Sequence, residues 1–288
     1  MTIFMDKPAS PSLPDLSSDY PLTPEQVAAF QRTGHICLPG IVSREEVAAY
    51  RQPIREIVER YKAGIRPLEE RDTYGKAFLQ IGNLWRGDAD VARFVLARRF
   101  GKIAADLMGV DGVRLYHDQA LFKEPGGGPT PWHQDQGYWP LDTDKTVTLW
   151  MPLVDVSVES GTMTFASGSQ AAGYLGDLPI SDKSEAEFDK FVRGRGYDLH
   201  THGAMAAGDA TFHAGWTLHR APGNATQAMR EVMTIIYFAD GISVAKPQNK
   251  QQEHDLAGCF PGLQPGDLAA TELNPLVYSR FSSQTFSG

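Results

Sequence analysis

Apolar and polar positions change their spacing near residue 110. Ahead of it they recur at helical intervals, with Val47, Tyr50, Ile54, Ile57, Val58 and Tyr61 on one helix face. Thr23-Pro24-Glu25-Gln26 offers an N-cap, a proline at the first helical position and a capping-box glutamine. Ser43 with Glu46 repeats the device ahead of Val47, and a third helical stretch is predicted over 88–107. Beyond residue 110 the period shortens. Val113, Leu115, His117, Gln119 and Leu121 alternate with Arg114, Tyr116, Asp118, Ala120 and Phe122, which predicts one extended strand with two faces. Glu124-Pro125-Gly126-Gly127-Gly128-Pro129 breaks the chain, as a mobile loop. Further strand-like runs fall at 146–154, 162–166, 210–213 and 230–239, and a short helix over 184–192 takes Ser184 and Glu187 as its capping box. Short strands with turn signals predict an antiparallel barrel or sandwich, here one β core with an N-terminal helical layer. Residues 1–21, rich in Pro, Ser and Asp, read as a flexible leader, and 22–288 as a single domain.

Composition narrows the function classes. The 288 residues are 42% hydrophobic and 22% charged, as in ordinary globular proteins. There is no apolar run of about 18 residues and no basic start followed by an apolar core, so neither a membrane partner nor a secretory signal is expected. The cysteines, Cys37 and Cys259, stand far apart, which suits a reducing compartment and a cytoplasmic location. A formal charge of −8 excludes a basic field for nucleic acid. A small-molecule substrate is the partner that remains; the oligomeric state is left open.

The chemistry concentrates in two places. In His133-Gln134-Asp135, residues two apart on an extended backbone point to the same side, so an imidazole and a carboxylate can meet one metal ion. A second cluster, His213-Ala-Gly-Trp-Thr-Leu-His219, can supply one more histidine. Two histidines and one carboxylate would fill one face of an octahedral Fe(II) and leave three positions open. The turn at Pro222-Gly223-Asn224 folds the chain back, so that Arg230 comes near His219. A guanidinium there is suited to hold the far carboxylate of 2-oxoglutarate in bidentate geometry. His200-Thr-His202 also has two-residue spacing, but reads as a polar loop. Tyr138, Trp139 and Trp216 flank the ligand motifs and suit a pocket wall or core packing equally.

These stretches resemble the phytanoyl-CoA dioxygenase family of Fe(II)/2-oxoglutarate oxygenases. The resemblance rests on Trp132-His-Gln-Asp135, Leu149-Trp-Met-Pro-Leu-Val-Asp155, Gly161-Thr-Met-Thr, Gly168-Ser-Gln170, Gly208-Asp209, His213, His219-Arg-Ala-Pro-Gly-Asn224, Arg230 and Asn274-Pro-Leu-Val-Tyr-Ser-Arg280, and covers roughly 25–281. It implies a mainly β fold with an α layer, a double-stranded β-helix (a jelly-roll or cupin-like barrel) with N-terminal helices. It implies His133, Asp135 and His219 as metal ligands, with no catalytic side chain beyond them. Arg230, Gln119 and Trp150 would line the cosubstrate pocket. The step from His219 to Arg230 favours His219 over His213. Fe(II), 2-oxoglutarate and O2 would be the cofactors, and hydroxylation of an aliphatic C–H of a small organic metabolite the reaction.

Two positions depart from the family pattern. Gln170 stands where a histidine is common, and Ala221 where a serine is common, which removes one possible cosubstrate hydrogen bond. Related halogenases lack the carboxylate, so Asp135 argues against halogenation. Two other readings compete: a metal-dependent hydrolase or isomerase on a β-barrel, and a non-catalytic metabolite-binding barrel.

Overall fold

The computed structural model describes Ser10, residues 12–72 and residues 75–281. Helices come first. α1 (Pro24–Thr33) and α2 (Arg44–Lys62) are separated by β1 (His35–Leu38), and Thr23 with Gln26 and Ser43 with Glu46 form the expected capping boxes. β2 (Leu79–Gly82) follows. The stretch expected as one helix over 88–107 is two, α3 (Ala89–Val95) and α4 (Arg98–Met108), with Ala97 extended between them. Packing explains the break: α3 lies against α2, whereas α4 lies on the sheet, and one straight helix could not meet both.

The remaining strands are β3 (Gly112–Phe122), β4 (Thr130–His133), β5 (Thr146–Pro152), β6 (Thr164–Ala166), β7 (Leu199–Thr201), β8 (Ala210–Ala214), β9 (His219–Ala221), β10 (Val232–Ala239) and β11 (Leu276–Ser279). α5 (Asp182–Arg195) precedes β7, and α6 (Lys250–Cys259) precedes β11. The cap of α5 is Ser181, not Ser184. Ser184 is its capping-box partner at the third helical position, because the extended backbone at Ser181 lets the two hydroxyls serve each other's N–H.

All the strand pairs are antiparallel. One sheet runs β1-β8-β5-β10-β3-β11, with β2 also on β3; the other runs β4-β9-β6-β7. The sheets pack face to face: Phe165 of β6 stacks on His35 of β1 at 4.5 Å and approaches His213 of β8 at 5.5 Å. This is the jelly-roll arrangement expected. The outer face of the larger sheet meets the helices, burying Leu115, Leu149, Phe212 and Ile235 with Ile54, Phe94, Phe100 and Ile103. The inner face turns toward the smaller sheet. Asn274, in the C-terminal motif, is buried and donates to the Leu115 carbonyl at 3.2 Å.

β3 departs from simple alternation. Opposite it, Ile236 pairs with His117 but Tyr237 pairs with Leu115, so Tyr116 is an extra, bulged residue. A one-residue insertion exchanges the faces beyond it. Val113 and Leu115 therefore face the helices, while His117, Gln119 and Leu121, expected on the same side as they are, face inward. Asp118 becomes the outward residue, fully buried, accepting the Leu84 N–H at 3.0 Å.

The described part of the expected leader is tied by side chains. Arg93 donates to the Ser10 and Leu13 carbonyls, Tyr50 to the Pro14 carbonyl, and Leu16 is buried. Residues 1–9 and 11 lie outside the described residues. The Gly126–Gly128 loop is bonded to Asn224 and Lys76 through the Gly126 and Gly128 N–H groups. His200 is a strand residue rather than a loop one, because β7 pairs with β6 and sets it opposite Phe165. His202 reaches His35, Nε2 to Nδ1, at 3.0 Å.

Candidate active site

β4 and β9 pair so that His133 and His219 stand directly opposite each other, their ring centroids 4.1 Å apart. Gln134 is extended, which turns Asp135 to the same side as His133, as the two-residue spacing predicts. The Nδ1 of His133 lies 2.8 Å from the Pro131 carbonyl, and that of His219 lies 2.9 Å from the Thr217 carbonyl. A carbonyl only accepts, so both Nδ1 atoms carry a proton, which turns both Nε2 atoms toward the site. These point at one carboxylate oxygen: Asp135 Oδ1 is 3.4 Å from His133 Nε2 and 3.6 Å from His219 Nε2. Octahedral neighbours on bonds of about 2 Å stand roughly 3 Å apart, close to this spacing. Among the described residues these three side chains form the group able to hold a metal ion.

The other Asp135 oxygen is held from behind. Oδ2 accepts from the Thr148 hydroxyl at 2.8 Å and from His213 Nε2 at 3.0 Å. His213 is thus drawn beside the group without joining its open face. Burial works against ionising Asp135, but the imidazoles around it, His219 first, outweigh that and hold its carboxyl well below the usual range. Burial, then His133 and His213, keeps His219 well below its ordinary value, so its ring is neutral. His213→Phe preserves a ring but removes the N–H on Oδ2. Its expected effect is about 10–100-fold weaker metal binding, the usual cost of losing a group that orients a ligand. Competition for Co(II) against a chelator measures it; undiminished affinity would deny His213 that role.

A cavity of about 190 Å3 opens over this group, and Gln119, Trp150 and Arg230 all line it. Arg230 precedes β10 and bridges Lys123 through paired backbone hydrogen bonds of 2.9 Å. Its guanidinium is buried, lies 5.3 Å from the centre of the Trp150 ring, and donates to the carbonyls of Gly161 (2.6 Å) and Leu121 (3.5 Å). Its Nε has no partner among the described residues. Burial alone pulls its pKa down to about 9. Gln170 sits elsewhere, donating to the Gln31 and Arg32 carbonyls at the end of α1, and takes no part in the site. Ala221 lines the cavity without a polar group.

Sequence reasoning missed three residues here. Thr148 was legible in principle, since it shares the inward face of β5 with Trp150. Lys123, fully buried, donates to the Gly128 and Pro222 carbonyls at 2.8 and 2.9 Å, and so ties the loop before β4 to the turn after β9. Burial, and then Arg230, pushes its amine down to about 6. Asp255, from α6, reaches the cavity with no motif to announce it.

Comparisons with known proteins bear on the family and the fold. Phytanoyl-CoA dioxygenase domain-containing protein 1 of Danio rerio is 25% identical over 273 residues, covering 79% of this chain and 94% of the relative. A methylphosphonate hydroxylase of Gimesia maris is 25% identical over 231 residues, covering 76% and 81%. Among solved structures, the non-heme alpha-ketoglutarate-dependent carbocyclase SnoK of nogalamycin biosynthesis superposes with a TM-score of 0.72 at 26% identity, covering 89% of this chain and 97% of its own. The epimerase SnoN superposes at 0.70 with 25% identity, covering 88% and 97%. The family model described as phytanoyl-CoA dioxygenase (PhyH) matches residues 30–232. With most of its length matched, and the three converging ligand atoms inside that span, the chain belongs to the phytanoyl-CoA dioxygenase family.

Proposed function

We propose that this protein is an Fe(II)- and 2-oxoglutarate-dependent oxygenase that hydroxylates an aliphatic C–H of a small organic metabolite. His133, Asp135 and His219 would hold the metal, and Arg230, Gln119 and Trp150 the cosubstrate. The residues fit both groups. Two imidazoles tied through Nδ1 to carbonyls and an ionised carboxylate are a donor set for Fe(II). The observation that carries the reading is Arg230, a buried charge lining the cavity, with carbonyls as its partners and its Nε–H unused. Such a group calls for a carboxylate, whereas metal-dependent hydrolysis has no use for one there.

Ferrous iron with 2-oxoglutarate supplies oxidation of an unactivated C–H bond by O2, giving succinate and CO2 beside the product. The chain's part is positional. Pro131 and Thr217 fix the imidazole tautomers, and Thr148 and His213 fix the Asp135 carboxylate with one oxygen forward. Arg230 orients the cosubstrate from the far end, with the Trp150 ring beside its guanidinium. The two packed sheets exclude water on either side. No helix among the described residues is long and apolar enough to cross a membrane, and a cytoplasmic location belongs to the same reading.

The test is spectroscopic. Fe(II) and then 2-oxoglutarate, added to the protein under nitrogen, are expected to produce a weak visible metal-to-ligand charge-transfer band. A folded protein that binds iron yet shows no band would overturn the oxygenase reading in favour of the hydrolase one.

A further inference from the structure

The wall of the cavity formed by α6 and the turn after Asp135 carries polar groups that neither the metal set nor Arg230 uses. Asp255 of α6 lines the cavity, and its Oδ2 accepts the Tyr116 hydroxyl at 2.7 Å. That hydroxyl comes from the bulged residue of β3. Among the described residues no lysine or arginine is found to act on Asp255; the basic group that does is His254, its exposed neighbour on the same helix. His117 lines the same space, with its Nδ1 buried and without a hydrogen-bond partner among the described residues. Tyr138 also lines the cavity, and its hydroxyl accepts the Ile180 N–H at 2.9 Å, which leaves its own proton free to donate.

Charge accounting isolates Asp255. Arg220 also lines the cavity but is paired with Glu185 at 2.6 Å. Arg230 and Asp135 offset one another, and ferrous iron with the 2-oxoglutarate dianion adds no net charge. One carboxylate is therefore left uncompensated, loaded or not. Burial raises its pKa to about 6, so it is ionised at neutral pH against a desolvation cost that a cation would relieve.

We propose that Asp255 is a specificity-determining residue, receiving a positively charged N–H group of the substrate, an ammonium or protonated amine, with His117 and Tyr138 as neighbouring polar contacts. The inference rests on the oxygenase reading for the identity of the reaction, and on the cavity itself for the identity of the group bound. A neutral substrate leaves the carboxylate unpaired, and an anionic one is repelled by it.

The test is a ligand-observed NMR titration with n-butylammonium, n-butanol and n-butyrate. It is run on the full chain loaded with Fe(II) and 2-oxoglutarate under nitrogen, with the charge-transfer band recorded alongside, and repeated on the metal-free protein. n-Butylammonium is expected to bind tightest. Asp255→Asn should weaken it by about tenfold or more, the worth of a charge-assisted hydrogen bond. Asp255→Lys should turn the preference toward n-butyrate. Tyr116→Phe keeps the charge and should keep the preference, which separates charge from mere packing. If butylammonium binds no better than butanol, or the Asn variant binds it unchanged while its band is normal, the inference is overturned and the oxygenase reading stands. If the wild type shows no band, that reading falls, and the metal-free titration still decides Asp255.

Discussion

Arg230→Ala is expected to weaken 2-oxoglutarate binding by about two to three orders of magnitude. The guanidinium spends two N–H groups on the Gly161 and Leu121 carbonyls, keeps Nε unpartnered, and pairs directly with no carboxylate among the described residues. Losing one partner of a buried charge pair costs about 3–5 kcal/mol, and each 1.4 kcal/mol is about tenfold in affinity. The free protein responds differently. Without cosubstrate an unpaired buried charge is a burden, as the fall of its pKa to about 9 reflects. Removing it offsets part of the packing lost with the side chain. The variant should therefore lose the thermal stabilisation that 2-oxoglutarate gives the wild type, while the ligand-free melting points differ little. Arg230→Lys keeps a charge without the planar fork and should fall between. Anaerobic titration of the charge-transfer band gives the affinities; an unchanged dissociation constant in the alanine variant would remove Arg230 from the cosubstrate site.

The second large effect concerns iron. His219→Ala should weaken Fe(II) binding by more than about a hundredfold, since losing a residue that merely orients a ligand already costs about 10–100-fold. His213 offers no ready replacement. Its ring lies 4.3 Å from that of His219, but its Nε2 is committed to Asp135 Oδ2 at 3.0 Å, away from the Oδ1 on which the other two imidazoles converge. Chelator competition measures the loss, and the band with 2-oxoglutarate should vanish with it. A His219→Ala protein that retains iron at wild-type affinity would move the third ligand to His213.

What could be read in the sequence was what depends on local spacing. The capping boxes at Thr23 and Ser43 and the shared side of His133 and Asp135 follow from backbone geometry over a few residues, and all appear. Pairing His133 with His219 is non-local, and it came from family resemblance rather than from spacing. The misses have one character: they depend on what lies opposite. Nothing in Leu115-Tyr116-His117 marks Tyr116 as an inserted residue. The bulge is defined by the register with β10, and it decides which side chains of β3 see the cavity. The division of 88–107 into α3 and α4 is likewise set by α2 and the sheet. Asp255 lies in a helix with little apolar pattern, and its importance arises from Tyr116, well over a hundred residues away in sequence.

The cavity walls have different owners. The proposed metal and cosubstrate positions belong to β3, β4 with the turn after it, β5, β9 and the approach to β10, and Lys123 ties two of the adjoining loops. Asp255 belongs to α6, which lies outside both sheets and reaches the metal side chiefly through the short turn after Asp135, where Asn249 and Gln252 bond the Gly137 carbonyl. Heredity can therefore act on the two halves separately. If Asp255 selects the substrate, substitutions on the cavity side of α6 should change which molecule binds while sparing the strands that hold the proposed metal ligands. A scaffold divided in this way is evolvable through one helix. Laboratory diversification at Asp255 and its exposed neighbours on α6, with Asn249, Gln252 and Phe260 kept, should then alter substrate range while iron binding persists.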